Sequence, residues 1–160
     1  MKMFYYIVTI IALLFSSSLT AQIVSVGGKF QKDWMFQTTI NYPFVFDEDS
    51  RHEVMLGLDY TSKNNQAPSG LTPQITYGYY VVDSAYKDFM VMAGVSTGYT
   101  VNLNSAFKSQ IRVSPFVYAE YFSFLNVKVG YDYGTQINKG YPYVSIGLGG
   151  FHMFRHFKIM

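Results

Sequence analysis

The chain has 160 residues, enough for one domain, and no cysteine, which excludes a disulfide framework, thiol chemistry and a cysteine-borne lipid anchor. Twelve Lys and Arg stand against ten Asp and Glu, a net charge of +2 with no basic cluster, so nucleic-acid binding by phosphate neutralisation is excluded. Fifteen Tyr and fourteen Phe against a single Trp form a load that either builds a soluble core or girdles a membrane protein at its two water boundaries.

The first predicted element is a leader. Met1-Lys2-Met3 gives a basic start, and residues 4–15 (FYYIVTIIALLF) form an apolar run too short to span a bilayer as a helix but suited to a signal-peptide core. Cleavage is expected after Ala21, leaving residues 22–160 as a single unit and 1–21 as the signal peptide.

From there the chain alternates, and alternate side chains on a strand face opposite ways. Residues 23–30 set Val24 and Val26 against Ser25, Gly27 and Lys29, and residues 34–46 set Phe36, Ile40 and Phe44 against Gln37, Thr39 and Asn41. Residues 53–62 oppose Val54, Leu56 and Leu58 to Glu53, Gly57 and Asp59; residues 71–82 oppose Ile75, Tyr77, Tyr79 and Val81 to Gln74, Thr76 and Gly78. The cleanest run, 89–103, puts Val91, Val95, Tyr99, Val101 and Leu103 opposite Met90, Met92, Gly94, Ser96 and Gly98. Residues 110–122 follow with Ile111, Val113 and Val117 against Arg112, Ser114, Tyr118 and Glu120. Residues 127–137 pit Val127, Val129 and Tyr131 against Lys128, Gly130, Asp132 and Gln136; residues 141–154 pit Val144, Ile146 and Leu148 against Ser145, Gly147 and Gly149.

Eight segments over residues 23–154 allow about sixteen residues each, of which a spanning strand needs about 9–11. That leaves short connections and no space for a plug or a second domain. The expected fold is an all-β, eight-stranded antiparallel up-and-down transmembrane β-barrel. An even strand count puts both termini in the periplasm, with periplasmic turns at 47–52, 83–88 and 123–126. Outer loops then fall at 31–33, 62–70, 104–109 and 138–140, the longest being SKNNQAPSG at 62–70.

The two faces decide between this and a soluble sandwich. Charges fall on the polar parity and are missing from the apolar one, where an arginine or lysine at mid-membrane costs about 2–4 kcal/mol. A sandwich requires charges outside and grease within. The inward charges are Lys29, Glu53, Asp59, Arg112, Glu120, Lys128 and Asp132. A barrel this small holds side chains and little else, so they are expected to form a satisfied network that fills the lumen. The sixth and seventh segments suggest Glu120 with Lys128 and Arg112 with Asp132. A narrow pore is the alternative use of such charges. A soluble barrel with a hydrophobic ligand follows if the faces are inverted.

Catalytic and metal patterns are thin. His52, His152 and His156 have no metal-ligand spacing, and GLGG at 147–150 precedes no helix, so it marks strand curvature rather than a phosphate loop. No cofactor is expected. Phe154-Arg155-His156 resembles the Phe-Arg-His segment of outer-membrane lipid A deacylases, which implies a catalytic role for His156. In that family a serine and a later acid follow the histidine, and Phe157-Lys158-Ile159-Met160 supplies neither.

By pattern over residues 22–160 the chain resembles the small eight-stranded outer-membrane β-barrel proteins of Gram-negative bacteria, and its Ala21-Gln22 junction resembles leaders of the Bacteroidota. The resemblance implies an integral outer-membrane location, with outer-membrane lipid, lipopolysaccharide and the barrel-assembly machinery as partners. The expected function is a non-enzymatic structural or surface-interaction role, the alternatives being a lipid-modifying enzyme or a narrow pore. A protein partner is not specified.

Overall fold

A computed structural model describes residues 23–44, 50–84, 89–122 and 124–150. They form eight strands: β1 Ile23–Gln31, β2 Asp33–Phe44, β3 His52–Thr61, β4 Gly70–Ser84, β5 Phe89–Asn102, β6 Gln110–Tyr121, β7 Leu125–Gly134 and β8 Lys139–Leu148. Each pairs antiparallel with the next, and β8 returns to β1 to close the barrel. Closure leaves no sheet edge, so every backbone ladder is answered within the chain. The near end is where β1 begins and β8 stops; the far end is opposite. The expected leader at 1–21, His152 and the Phe154-Arg155-His156 stretch lie outside the described residues, as do parts of the turns expected at 47–52 and 83–88.

Alternation selects the faces. Val95 and Val117 face out while their neighbours Ser96 and Tyr118 are buried in the lumen. The pattern breaks once, at a bulge between Tyr80 and Val82, so that Val81 and Val82 both face outward. Inward glycines stand beside large inward side chains. Gly130 makes room for the Tyr143 ring, where an added Cβ would lie 2.6 Å from the hydroxyl, and Gly94 makes room for Phe116. Small beside large is how a narrow barrel fills without strain.

The far-end hairpins are tight. Gln31 pairs with Asp33 around Lys32, whose φ of 67° is left-handed, and Asn138 takes φ 47° before β8. Asparagine tolerates that conformation, whereas lysine carries a cost of about 1 kcal/mol there.

Several expectations need correction, among them the end of the last strand, since β8 stops at Leu148 and Gly149 lies beyond it. β7 stops at Gly134, so Gln136 does not face the lumen but sits exposed in the following turn. The β6–β7 hairpin closes at Tyr121↔Leu125, starting β7 two residues earlier than expected. The shift preserves which face each residue occupies but changes which residues are opposite. Nor is the lumen polar throughout: Ile23, Met55, Tyr80, Met90, Met92, Phe116, Tyr118 and Tyr143 form a buried cluster inside it. Short polar side chains cannot reach across a barrel of this width, and unbranched methionine and tyrosine can.

Candidate functional site

Four of the seven inward charges meet in the lumen's far half. Lys29 on β1 donates from Nζ to Asp132 Oδ2 on β7 at 2.5 Å, and Arg112 on β6 donates from Nη2 to Asp59 Oδ2 on β3 at 2.9 Å. Arg112 Nη1 lies 3.8 Å from Asp132 Oδ2, which joins the two pairs into one chain across the lumen. The side chains of Lys29, Asp132, Arg112 and Asp59 are 3, 8, 11 and 5 % exposed, so water screens little of their attraction.

Burying four charges is tolerable where further hydrogen bonds serve their remaining lone pairs and protons, and both carboxylates have such bonds. Asp132 also accepts from Gln31 Nε2 at 3.0 Å and Ser114 Oγ at 2.7 Å, and Asp59 accepts from Gln37 Nε2 at 2.7 Å and Thr39 Oγ1 at 2.8 Å. Gln74 Oε1 takes a further Arg112 proton at 3.1 Å, and the Lys29 ammonium lies 4.2 Å over the Tyr143 ring. Two cations and two carboxylates cancel, and every strand but β5 contributes a side chain to the chain of contacts.

The other three inward charges stand apart from this network. Glu53 accepts from the Tyr80 hydroxyl and Glu120 from the Tyr118 hydroxyl, both towards the near end. Lys128 lies 4.0 Å over the Phe116 ring. The expected Glu120–Lys128 pair is not formed: Glu120 is opposite Asn126, and Lys128 is opposite Tyr118, because the hairpin closes early. Arg112 and Asp132 do approach, but at 3.8 Å, and Arg112 makes its closer bond to Asp59. The register on β6 and β7 decides both outcomes, and no residue type announces it.

Tyr118 lies in the lumen as its parity predicts, but three further lumen tyrosines are not among the inward residues read from the sequence. Tyr80, Tyr141 and Tyr143 are buried there, although their parity matches that of Gly78, Ser145 and Gly147, a signal that was there to use. Sequence reasoning also overlooked the far-end cover. The Asn64 side-chain amide donates to the Gln31 carbonyl at 3.0 Å, and the Asn104 amide donates to the Asn64 carbonyl at 2.8 Å and to Asn65 Oδ1 at 3.0 Å. These bonds tie the connection between β3 and β4 to that between β5 and β6 over the barrel mouth, with Ala67 fully buried beneath. Asparagines repeated at 64, 65, 102 and 104 are the trace of this in the sequence.

Among the described residues no three His, Asp or Glu side chains come together to hold a metal. His52 is at the near rim, outside the barrel, with Nδ1 2.6 Å from the Tyr77 hydroxyl. The arrangement braces the lumen wall from within and ties the far-end connections to one another. No protein-family model, curated protein or solved structure matches the chain, so its function has to be read from the geometry.

Proposed function

We propose that the protein is an integral outer-membrane β-barrel with a filled lumen, serving a structural or surface-interaction role without catalysis. The observation that carries this is the inverted distribution of polarity. Large apolar side chains cover the outside, with Phe36, Val81, Val117 and Ile75 each at least half exposed, while Lys29, Glu53, Asp59, Glu120 and Asp132 are buried inside. An apolar surface of that extent is far beyond the few hundred Å² that soluble monomers leave in water.

The aromatic residues support the same reading. Phe30, Trp34, Tyr60, Tyr99, Tyr131 and Tyr133 ring the far end outside, and Tyr42, Phe44, Tyr79, Tyr121, Phe122 and Phe124 ring the near end. Between the belts, outward positions hold Val, Ile and Leu such as Val26, Leu56, Ile75, Val95, Val129 and Ile146, and among the described residues none holds a charge. Strands of 9 to 15 residues suffice to cross a bilayer. Lipid and lipopolysaccharide are the partners this surface fits, the barrel-assembly machinery the route by which it inserts, and the leader at 1–21 the means of export. A Gram-negative host follows from the same reading.

The test is fractionation with a gel assay. The protein should sediment with the outer membrane, need detergent for extraction, and migrate differently in boiled and unboiled samples. Recovery as a soluble periplasmic monomer would refute the proposal.

A further inference from the structure

Beside the neutral ion network the lumen contains a second compartment. It is a cavity of about 50 Å³ on the near side of the network, bordered by Lys128 on β7, Ser25 on β1, Gln37 and Asn41 on β2, and Gln74 on β4. At roughly 10–15 Å³ for each water-sized position it has space for about four waters. Its lining includes one lysine and no carboxylate. Among the described residues no carboxylate lies within ion-pair distance of Lys128, whose ammonium lies over the Phe116 ring.

Three polar groups around that lysine have protons to give. Ser25 Oγ already accepts from Asn126 Nδ2 at 3.1 Å, leaving its own proton to give. Gln37 Oε1 accepts from Ser145 Oγ at 2.6 Å, and its amide nitrogen has one proton left after serving Asp59. Gln74 Oε1 accepts from Arg112 at 3.1 Å, which leaves its amide protons free. An amide carries two donor protons and a serine hydroxyl one. The cavity is thus a cationic pocket with these donors on its edge. Acceptors share the lining: the hydroxyls of Thr39, Ser145 and Tyr118 give their protons to Asp59, Gln37 and Glu120 and keep lone pairs, and Asn41 Oδ1 is buried with no hydrogen-bond partner.

We propose that this cavity is a binding site for a small oxyanion that carries its own proton, with inorganic phosphate as the chemical type. Lys128 supplies the counter-charge, while Ser25, Gln37 and Gln74 donate to the anion's oxygens. The P–O–H of a hydrogen phosphate satisfies Asn41 Oδ1. A halide or a simple carboxylate meets the donors but leaves Asn41 unanswered, so phosphate is preferred over either. The compartment is too small for a lipid headgroup with its glycerol. The site depends on the closed barrel alone and is independent of where the protein resides.

Full-length protein folded in detergent micelles, free of phosphate, is titrated calorimetrically with inorganic phosphate, acetate and chloride in parallel. Phosphate should bind saturably and more tightly than acetate or chloride. Lys128→Met should weaken it at least about tenfold, equivalent to about 1.4 kcal/mol, Lys128→Arg should retain binding, and Lys32→Met, remote in the far-end turn, should leave it unchanged. Ser25→Ala supplies an independent variant in case Lys128→Met fails to fold, which its gel mobility reveals, and should weaken phosphate severalfold. Absence of saturable binding to folded protein at millimolar phosphate would overturn the proposal. So would equal binding by wild type and both lumen variants, or equal affinity for phosphate, acetate and chloride.

Discussion

Asp132→Asn removes one negative charge from the centre of the network and little volume. Asp132 accepts from Lys29 at 2.5 Å, Ser114 at 2.7 Å and Gln31 at 3.0 Å, with Arg112 at 3.8 Å. After the change Lys29, 3 % exposed, faces a neutral amide, and a buried charge that loses its partner costs about 3–5 kcal/mol. Arg112 retains Asp59, and Lys29 retains an amide oxygen and the Tyr143 ring, so about 3 kcal/mol is expected. Lys29→Met leaves Asp132 with Ser114, Gln31 and Arg112 and should cost less, about 1–3 kcal/mol. In the double variant neither charge is stranded, so its loss should fall short of the sum by about 1–2 kcal/mol. Denaturant unfolding from lipid vesicles measures all three. Trp34, the single tryptophan and outward-facing at the far end, reports the transition by fluorescence. Additivity within about 0.5 kcal/mol, or a neutral Asp132→Asn, would refute the bracing role.

The remaining predictions probe other parts of the fold. Glu120→Gln and Lys128→Met should couple more weakly than the Lys29–Asp132 pair in the same unfolding assay, because the register keeps them from pairing. Val95→Arg, outward at the middle of β5, should cost about 2–4 kcal/mol in vesicles, and Val101→Arg near the far end about 0–1 kcal/mol; equal costs would place no bilayer midplane at Val95. Asn104→Ala breaks two bonds of the far-end cover and should cost about 1–3 kcal/mol while speeding hydrogen exchange across residues 62–69.

Much of the barrel is legible in the chain because a two-residue period is a local property. Val54, Leu56 and Leu58 alternate with Glu53, Gly57 and Asp59, and the structure keeps that division of faces. Segment boundaries came within three residues for seven strands, with β8 ending earlier, at Leu148. What the sequence hides is register. Whether β7 starts at Leu125 or Val127 leaves every face unchanged, yet it determines that Glu120 meets Asn126 instead of Lys128. Contacts across the lumen are harder still: Lys29 and Asp132 are 103 positions apart, on strands that are not neighbours in the sheet, so no pairing rule links them. Tyr118 is legible as a lumen residue, whereas Tyr80, Tyr141 and Tyr143 are not, because tyrosine suits both a membrane boundary and a buried site with a hydroxyl partner, and only parity separates the two.

Planar-bilayer recording tests the closed lumen most directly. With the far end covered by the Asn64–Asn104 contacts and Lys29, Asp132, Arg112 and Asp59 bonded across the interior, wild-type protein should show no steady conductance. Loosening the network by Asp132→Asn should lower stability before any current appears. A stable, ion-selective conductance in the wild type, altered by Lys29→Met or Asp132→Asn with stability unchanged, would contradict the filled barrel and show that these charges line a pore.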